Sequence, residues 1–160
     1  GLNIPYYDAQ KVERLWGLDP SAEMWSIAQK NANRHHLDIE FIQSGAESIP
    51  LDTDSTDSVV MTFTMCTIPD VAAAMNEIRR VLKPGGNLIF CEHGLAPDES
   101  VQRWQNRVNP LWRKLAGGCN LNRPIPALLK QSGFTTKDMQ TMYLPGWKPA
   151  TFNYWGTARG

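Results

Sequence analysis

Short apolar runs alternate with stretches of helical spacing along most of this chain. Residues 13–18 (ERLWGL) form the first run, which ends at Asp19. Pro20 follows at a natural first helical position, with Ser21 and Glu23 beside it. Met24, Ile27 and Ala28 then mark one face of a helix. Residues 39–42 read as a second strand, with polar residues before it and Gly45 after it. Residues 58–63 (SVVMTF) are apolar on both faces, as a buried parallel strand is. Ile68, Val71, Met75, Ile78 and Leu82 recur at spacings of three and four, which predicts a helix with one buried stripe. Lys83-Pro84-Gly85-Gly86 stops it in a tight turn, and residues 87–91 (NLIFC) read as a fourth strand.

Strands alternating with helices predict an α/β fold with a parallel, doubly wound sheet. Right-handed crossovers then put the strand C-terminal ends on one edge, where ligands bind. Further along, Val101, Trp104, Val108, Leu111, Trp112 and Leu115 share one helical face, and Pro110 is expected to kink or divide that helix. Residues 126–132 read as a short helix closed by Gly133. Residues 134–144 and 151–158 read as a final antiparallel strand pair. No repeat or linker interrupts the pattern, so residues 1–160 are expected to form one domain.

Composition adds limits. The chain has 160 residues, 42% of them hydrophobic, which suits a single ordinary soluble core. It has no apolar run of about 18 residues, and its first residues lack the charged and apolar regions of a signal peptide. Cys66, Cys91 and Cys119 are few and far apart, without a CxxC pair. That argues against a disulfide framework and a zinc site, leaves no metal expected, and fits a cytoplasmic protein. Residues 1–100 carry 7 Lys/Arg against 15 Asp/Glu, whereas residues 101–160 carry 9 against 1. Two readings follow: acidic and basic parts that attract one another, or a basic, Trp-rich surface for acidic lipid or an anionic substrate.

The polar residues at the predicted strand ends carry the candidate chemistry. Asp19 can accept hydrogen bonds from both hydroxyls of a ribose; it can equally start the following helix. Gly45-Ala46-Glu47 is a small-residue turn whose backbone can approach a flat ring, or a plain turn with a solvated Glu47. Together they suit a nucleoside-containing cofactor.

At this point the chain resembles a known family. Asp19-Pro20-Ser21 with Met24, Gly45-Ala46-Glu47-Ser48-Ile49-Pro50-Leu51, Asp57-Ser58-Val59-Val60 and Leu82-Lys83-Pro84-Gly85-Gly86 resemble the ordered motifs of class I, Rossmann-like S-adenosylmethionine (SAM)-dependent methyltransferases. Glu92-His93-Gly94, Trp104-Gln105, Asn109-Pro110-Leu111-Trp112 and Gly117-Gly118-Cys119-Asn120-Leu121-Asn122-Arg123 are similar to the methyltransferase-like 7 group, which includes thiol methyltransferases. The resemblance implies SAM as cofactor. Asp19 would take the ribose hydroxyls, beside Pro20 and Met24. Ala46 and Glu47 would lie against adenine, and Thr64, Met65 and Cys66 would line the wall between cofactor and acceptor. Many members carry Asp where Gly45 stands, so one adenine hydrogen bond is not expected here. Gly1 and Asn3 resemble the last residues of the family's glycine-rich loop. The resemblance therefore implies that the loop's earlier glycines and the preceding central strand are missing, and that a homodimer could complete the sheet.

Methyl transfer from a sulfonium needs no catalytic triad, and none is visible. Glu92 and His93, just past a strand end, are the candidates for a base or an acceptor contact; a structural hydrogen bond is the alternative for His93. His35 and His36 read as a solvated turn. Cys119, with no His near it in sequence, reads as structural or incidental. Residues 101–115 are expected to pack into the core, cover an acceptor site or lie on a membrane surface. Dispersed basic residues without a recognition motif argue against nucleic acid. The expected function is methyl transfer to a small lipophilic acceptor such as a thiol. The alternatives are a non-catalytic relative used for binding or assembly, and a nicotinamide-dependent oxidoreductase, which Asp19 alone would also suit.

Overall fold

A computed structural model describes residues 1–160. They cluster into two compact units, Gly1–Pro50 and Leu51–Gly160. The first is a strand–helix–strand unit: β1 (Leu15–Leu18), α1 (Ala22–Arg34) and β2 (Ile39–Ile42). β1 and β2 pair in parallel, from Leu15 opposite Ile39 to Leu18 opposite Ile42. A short 3-10 turn, Ile4–Tyr6, brings Ile4 to Ala32 and Leu37, and these three form the unit's buried cluster. Trp25 stacks on Phe41 with ring centroids 4.7 Å apart, fastening α1 to the sheet. α1 ends in the exposed His35 and His36, where His36 turns the backbone left-handed at φ 54°.

The second unit holds β3 (Thr56–Thr62), α2 (Val71–Val81), β4 (Leu82–His93), α3 (Glu99–Leu115), α4 (Ile125–Gln131), β5 (Thr135–Tyr143) and β6 (Phe152–Arg159). Its sheet has the order β3-β4-β6-β5. β3 and β4 are parallel, and β6 runs antiparallel to both β4 and β5. The core follows the sequence periodicity of α2, where Val71, Ala74, Met75, Ile78 and Val81 are buried. Leu88 and Phe90 of β4 join them inside, as do Leu121, Ile125 and Leu129.

Three expectations need correction. β3 is not buried on both faces: it is an edge strand, and Val59 and Val60 are only half-buried. Lys83 to Gly86 does not stand apart from β4. Thr56 faces Leu82 and Ser58 faces Asn87, so these residues form an irregular excursion within the ladder, with Gly85 at φ 80°. Pro110 does not divide α3, which runs unbroken from Glu99 to Leu115. Pro110 and Asn106, one turn earlier, are both exposed, so water can satisfy the carbonyl that loses its donor.

The face that α3 buries also differs from its apolar stripe. Val101, Gln105 and Asn109 are buried, whereas Trp104, Leu111 and Leu115 are 57%, 63% and 78% exposed. The reason is polar. Gln105 Oε1 accepts from the Ala96 N–H, and its Nε2 lies 3.0 Å from each of the Gly94, Leu121 and Pro149 carbonyls. Asn109 Oδ1 accepts from the Leu121 N–H at 2.8 Å. These amides satisfy backbone groups that apolar side chains would leave orphaned.

Candidate functional site

Each unit brings together part of the residue set singled out in the sequence. In the first unit, the last β1–β2 pair is Leu18 opposite Ile42. Asp19 and the Gly45 turn therefore leave neighbouring strand ends on the same edge. The Asp19 N–H donates to the Ile42 carbonyl at 3.2 Å, holding the first of these exits to the ladder. Asp19 Oδ1 accepts from the Ser21 N–H at 2.8 Å, closing a turn that leads into α1, whose N-cap is Ser21 rather than Asp19. Its Oδ2 is left for a further donor. Ser48 N–H closes a turn on the Gly45 carbonyl at 3.2 Å, and Ser44 Oγ donates to the Ser48 carbonyl at 2.7 Å. A Cβ at position 45 would stand 2.7 Å from Glu47 Oε2. Glycine there lets the Glu47 carboxylate fold back over its own turn.

Pro20 is exposed and Met24 lies 46% exposed in the first turn of α1, close in sequence to Asp19. Gly1 sits elsewhere along the helix. Its carbonyl accepts from Asn31 Nδ2 at 2.9 Å, and a Cβ on it would stand 3.0 Å from Ala28 Cα. Asn3 caps the Ile4–Tyr6 turn beside it. Gly1 and Asn3 thus lie against the second and third turns of α1, and the Asp19 end gathers the other first-unit residues.

In the second unit, Glu92 organises the turn after β3. Its side chain is 0% exposed. Oε1 accepts from the Thr64 N–H at 2.9 Å and from Thr64 Oγ1 at 3.2 Å, and Oε2 accepts from the Met65 N–H at 3.1 Å. Burial raises its pKa to about 7, while the Thr64 and Met65 hydrogen bonds pull the other way. Both oxygens are committed to the turn, so Glu92 shapes the Thr64-Met65-Cys66 segment from behind. Thr64 is exposed, and Met65 and Cys66 are buried.

His93 ends β4 and points its Nε2 at Cys119 Sγ, 3.1 Å away. Burial lowers the His93 pKa, so the ring is neutral at pH 7. Cys119 Sγ also accepts from Trp112 Nε1 at 3.3 Å. Asn120 binds the Cys66 carbonyl twice, through its N–H at 2.9 Å and its Nδ2 at 2.8 Å. The ligating atoms of Cys66, His93 and Cys119 all lie within 4.8 Å of one another. This is where the sequence reading was weakest. Local cysteine spacing argued against a metal or disulfide grouping and made Cys119 structural or incidental. The fold instead collects the three residues from a turn, a strand end and an interhelical segment. The missed members Gln105, Asn109, Trp112, Cys119 and Asn120 all fall within segments already notable for family resemblance, which was the signal available. A cavity of about 490 Å³ lies on the same unit, lined by Val101, Trp104 and the turn at Gly146 to Pro149.

Comparison with known proteins follows the same lines. Residues 1–90 match the family model described as a methyltransferase domain. The thiol S-methyltransferase TMT1B of Homo sapiens is 31% identical over 163 residues, which cover 99% of this chain and 66% of that protein. The demethylmenaquinone methyltransferase of Bacillus subtilis (strain 168) is 35% identical over 85 residues, covering 52% of this chain and 36% of that protein. Among solved structures, a SAM-dependent methyltransferase from Methanosarcina mazei superposes with a TM-score of 0.72 at 21% identity, covering 91% of this chain and 81% of that one. The chain spans 60 to 66% of the length of the first mammalian thiol methyltransferases it matches.

Proposed function

This chain belongs to the class I, Rossmann-like SAM-dependent methyltransferases, and from that membership we propose that it transfers a methyl group from SAM to a small lipophilic thiol. The observation that carries the reading is the exit of Asp19 and the Gly45-Ala46-Glu47 turn from adjacent strand ends. A carboxylate oxygen and a turn of small residues, side by side, fit the ribose hydroxyls and the adenine ring of a nucleoside. Similarity to proteins named thiol S-methyltransferases supports the acceptor class. The Trp-lined cavity beside α3 suits a lipophilic molecule.

SAM supplies an electrophilic methyl carbon on a sulfonium, and the leaving thioether departs neutral. Asp19 and the Gly45-Ala46-Glu47 turn would hold its nucleoside, and its neutral leaving group would need no proton from the protein. The protein's work is then positioning and keeping the acceptor ionised. Glu92 fixes the backbone at Thr64 and Met65, and the neutral ring of His93 offers a group able to take the acceptor's proton.

The test is a transfer assay with methyl-labelled SAM and a panel of lipophilic thiols, phenols and amines, with products identified by mass spectrometry. Methylated thiol above the level given by boiled protein supports the reading. Transfer only to phenols or amines would move the acceptor assignment. SAM binding without transfer to any acceptor would favour a binding or assembly role for the fold.

A further inference from the structure

We propose that Cys66, His93 and Cys119 form a binding site for Zn(II), with Asn153 as the partner that orients His93. The proposal does not rest on methyl transfer; while a cation occupies His93 Nε2, that ring does not serve as the proton acceptor named above. Zn(II) binds cysteine sulfur at about 2.3 Å and imidazole nitrogen at about 2.0–2.1 Å, so tetrahedral ligand atoms stand roughly 3.5–3.8 Å apart. His93 Nε2 is 3.1 Å from Cys119 Sγ and all three ligand atoms fall within 4.8 Å of one another, so small side-chain shifts bring them to that spacing. The three residues are anchored independently of one another. Asn120 grips the Cys66 carbonyl, Trp112 points its N–H at Cys119, and β4 carries His93.

Two orphaned atoms strengthen the case. His93 Nδ1 and Asn153 Oδ1 are buried without hydrogen-bond partners. His93 and Asn153 stand directly opposite one another in the β4–β6 ladder, so their side chains leave the same face. Asn153 Nδ2 donates to the Thr151 carbonyl at 2.7 Å, which fixes the amide with its oxygen free. A cation on Nε2 requires the ring proton on Nδ1. That proton is then on the face shared with Asn153, whose unpartnered Oδ1 is the acceptor assigned to it, supplying the second hydrogen bond that metal-bound histidines ordinarily make.

Charge fits as well. Without a cation, burial first and then the neighbouring Cys119 push the Cys66 thiol up to about 12. On binding, Zn(II) displaces one proton from each thiol to solvent and forms a complex of two thiolates and one neutral imidazole, with no net charge. A neutral group is far cheaper to bury than a lone thiolate. The protein supplies three ligands, so the fourth coordination position is open to water or an exogenous ligand.

The experiment is titration of the metal-free, reduced protein with Zn(II) against a chromophoric chelator, with Co(II) as a spectroscopic probe. One equivalent should bind. The Co(II) form should show thiolate-to-metal charge transfer and the intense visible bands of four-coordination. Cys66→Ser and Cys119→Ser should each weaken Zn(II) at least hundredfold, Asn153→Ala about tenfold, and Cys91→Ser not at all. Apparent affinity should rise about hundredfold per pH unit near neutrality, as release of two protons requires. The Co(II) spectrum needs no variant, so a Cys mutant that fails to fold leaves the proposal testable. Co(II) bound without thiolate charge transfer, or Zn(II) affinity equal in wild type and the soluble Cys66→Ser and Cys119→Ser proteins, would overturn it. So would a reduced wild-type protein that takes up no Zn(II) at micromolar concentration.

Discussion

Glu92 sits in the setting least suited to its charge. It is sealed from water, with its pKa raised to about 7 by burial. A raised carboxyl pKa means that the folded protein holds a proton that the unfolded chain releases between pH 4.5 and 7. Stability from this group is therefore full below pH 4.5 and falls as pH rises through 7, by about 3 kcal/mol in all. Glu92→Gln should abolish that slope, which urea unfolding at pH 5 and pH 8 reads as the difference between the two proteins. At Asp19 the same kind of comparison separates two roles. Asp19→Asn keeps an oxygen for the Ser21 N–H and so should leave melting unchanged. It replaces Oδ2 by a donor and should weaken S-adenosylhomocysteine about tenfold or more. Unchanged affinity would return Asp19 to helix initiation alone. Both readings of Asp19 were visible in the sequence, and the structure adds that one carboxylate oxygen holds the turn into α1, leaving the helix cap itself to Ser21.

At the scale of elements, strands and helices were legible because their periodicities differ. α2 and β2 fall almost where spacing placed them. α3 was misread in one respect. Its apolar residues look like a buried stripe, yet the fold buries Gln105 and Asn109, because the segments around Gly94 and Leu121 need hydrogen-bond partners more than apolar cover. Periodicity cannot register that need, since it arises only once distant segments meet. Gln105→Leu should accordingly cost about 3 kcal/mol or more, by orphaning the Ala96 N–H and up to three carbonyls. Leu111→Ser, on the exposed side, should stay within about 0.5 kcal/mol. Equal losses in urea unfolding would contradict the assignment of the buried face. The Cys66–His93–Cys119 grouping escaped the sequence reading for the same reason, since its members come from three separate segments.

For the whole molecule, the sheet arrangement predicts where structure is held most firmly. β4 is paired on both sides and carries the buried Leu88 and Phe90, whereas β1 and β2 form a two-stranded sheet of largely half-buried residues. Native-state hydrogen exchange should find the slowest amides in β4 and β6 and markedly faster exchange in β1 and β2. The family was legible from ordered motifs spread along the chain, and the matching domain description over residues 1–90 agrees with it. The central claim is that Asp19 and the Gly45 turn, at adjacent strand ends of the first unit, hold the nucleoside of SAM. Calorimetric titration with S-adenosylhomocysteine tests it most directly. Saturable one-to-one binding, competed by SAM and weakened in Asp19→Asn, is the result expected. No saturable heat with millimolar ligand and folded protein would contradict it.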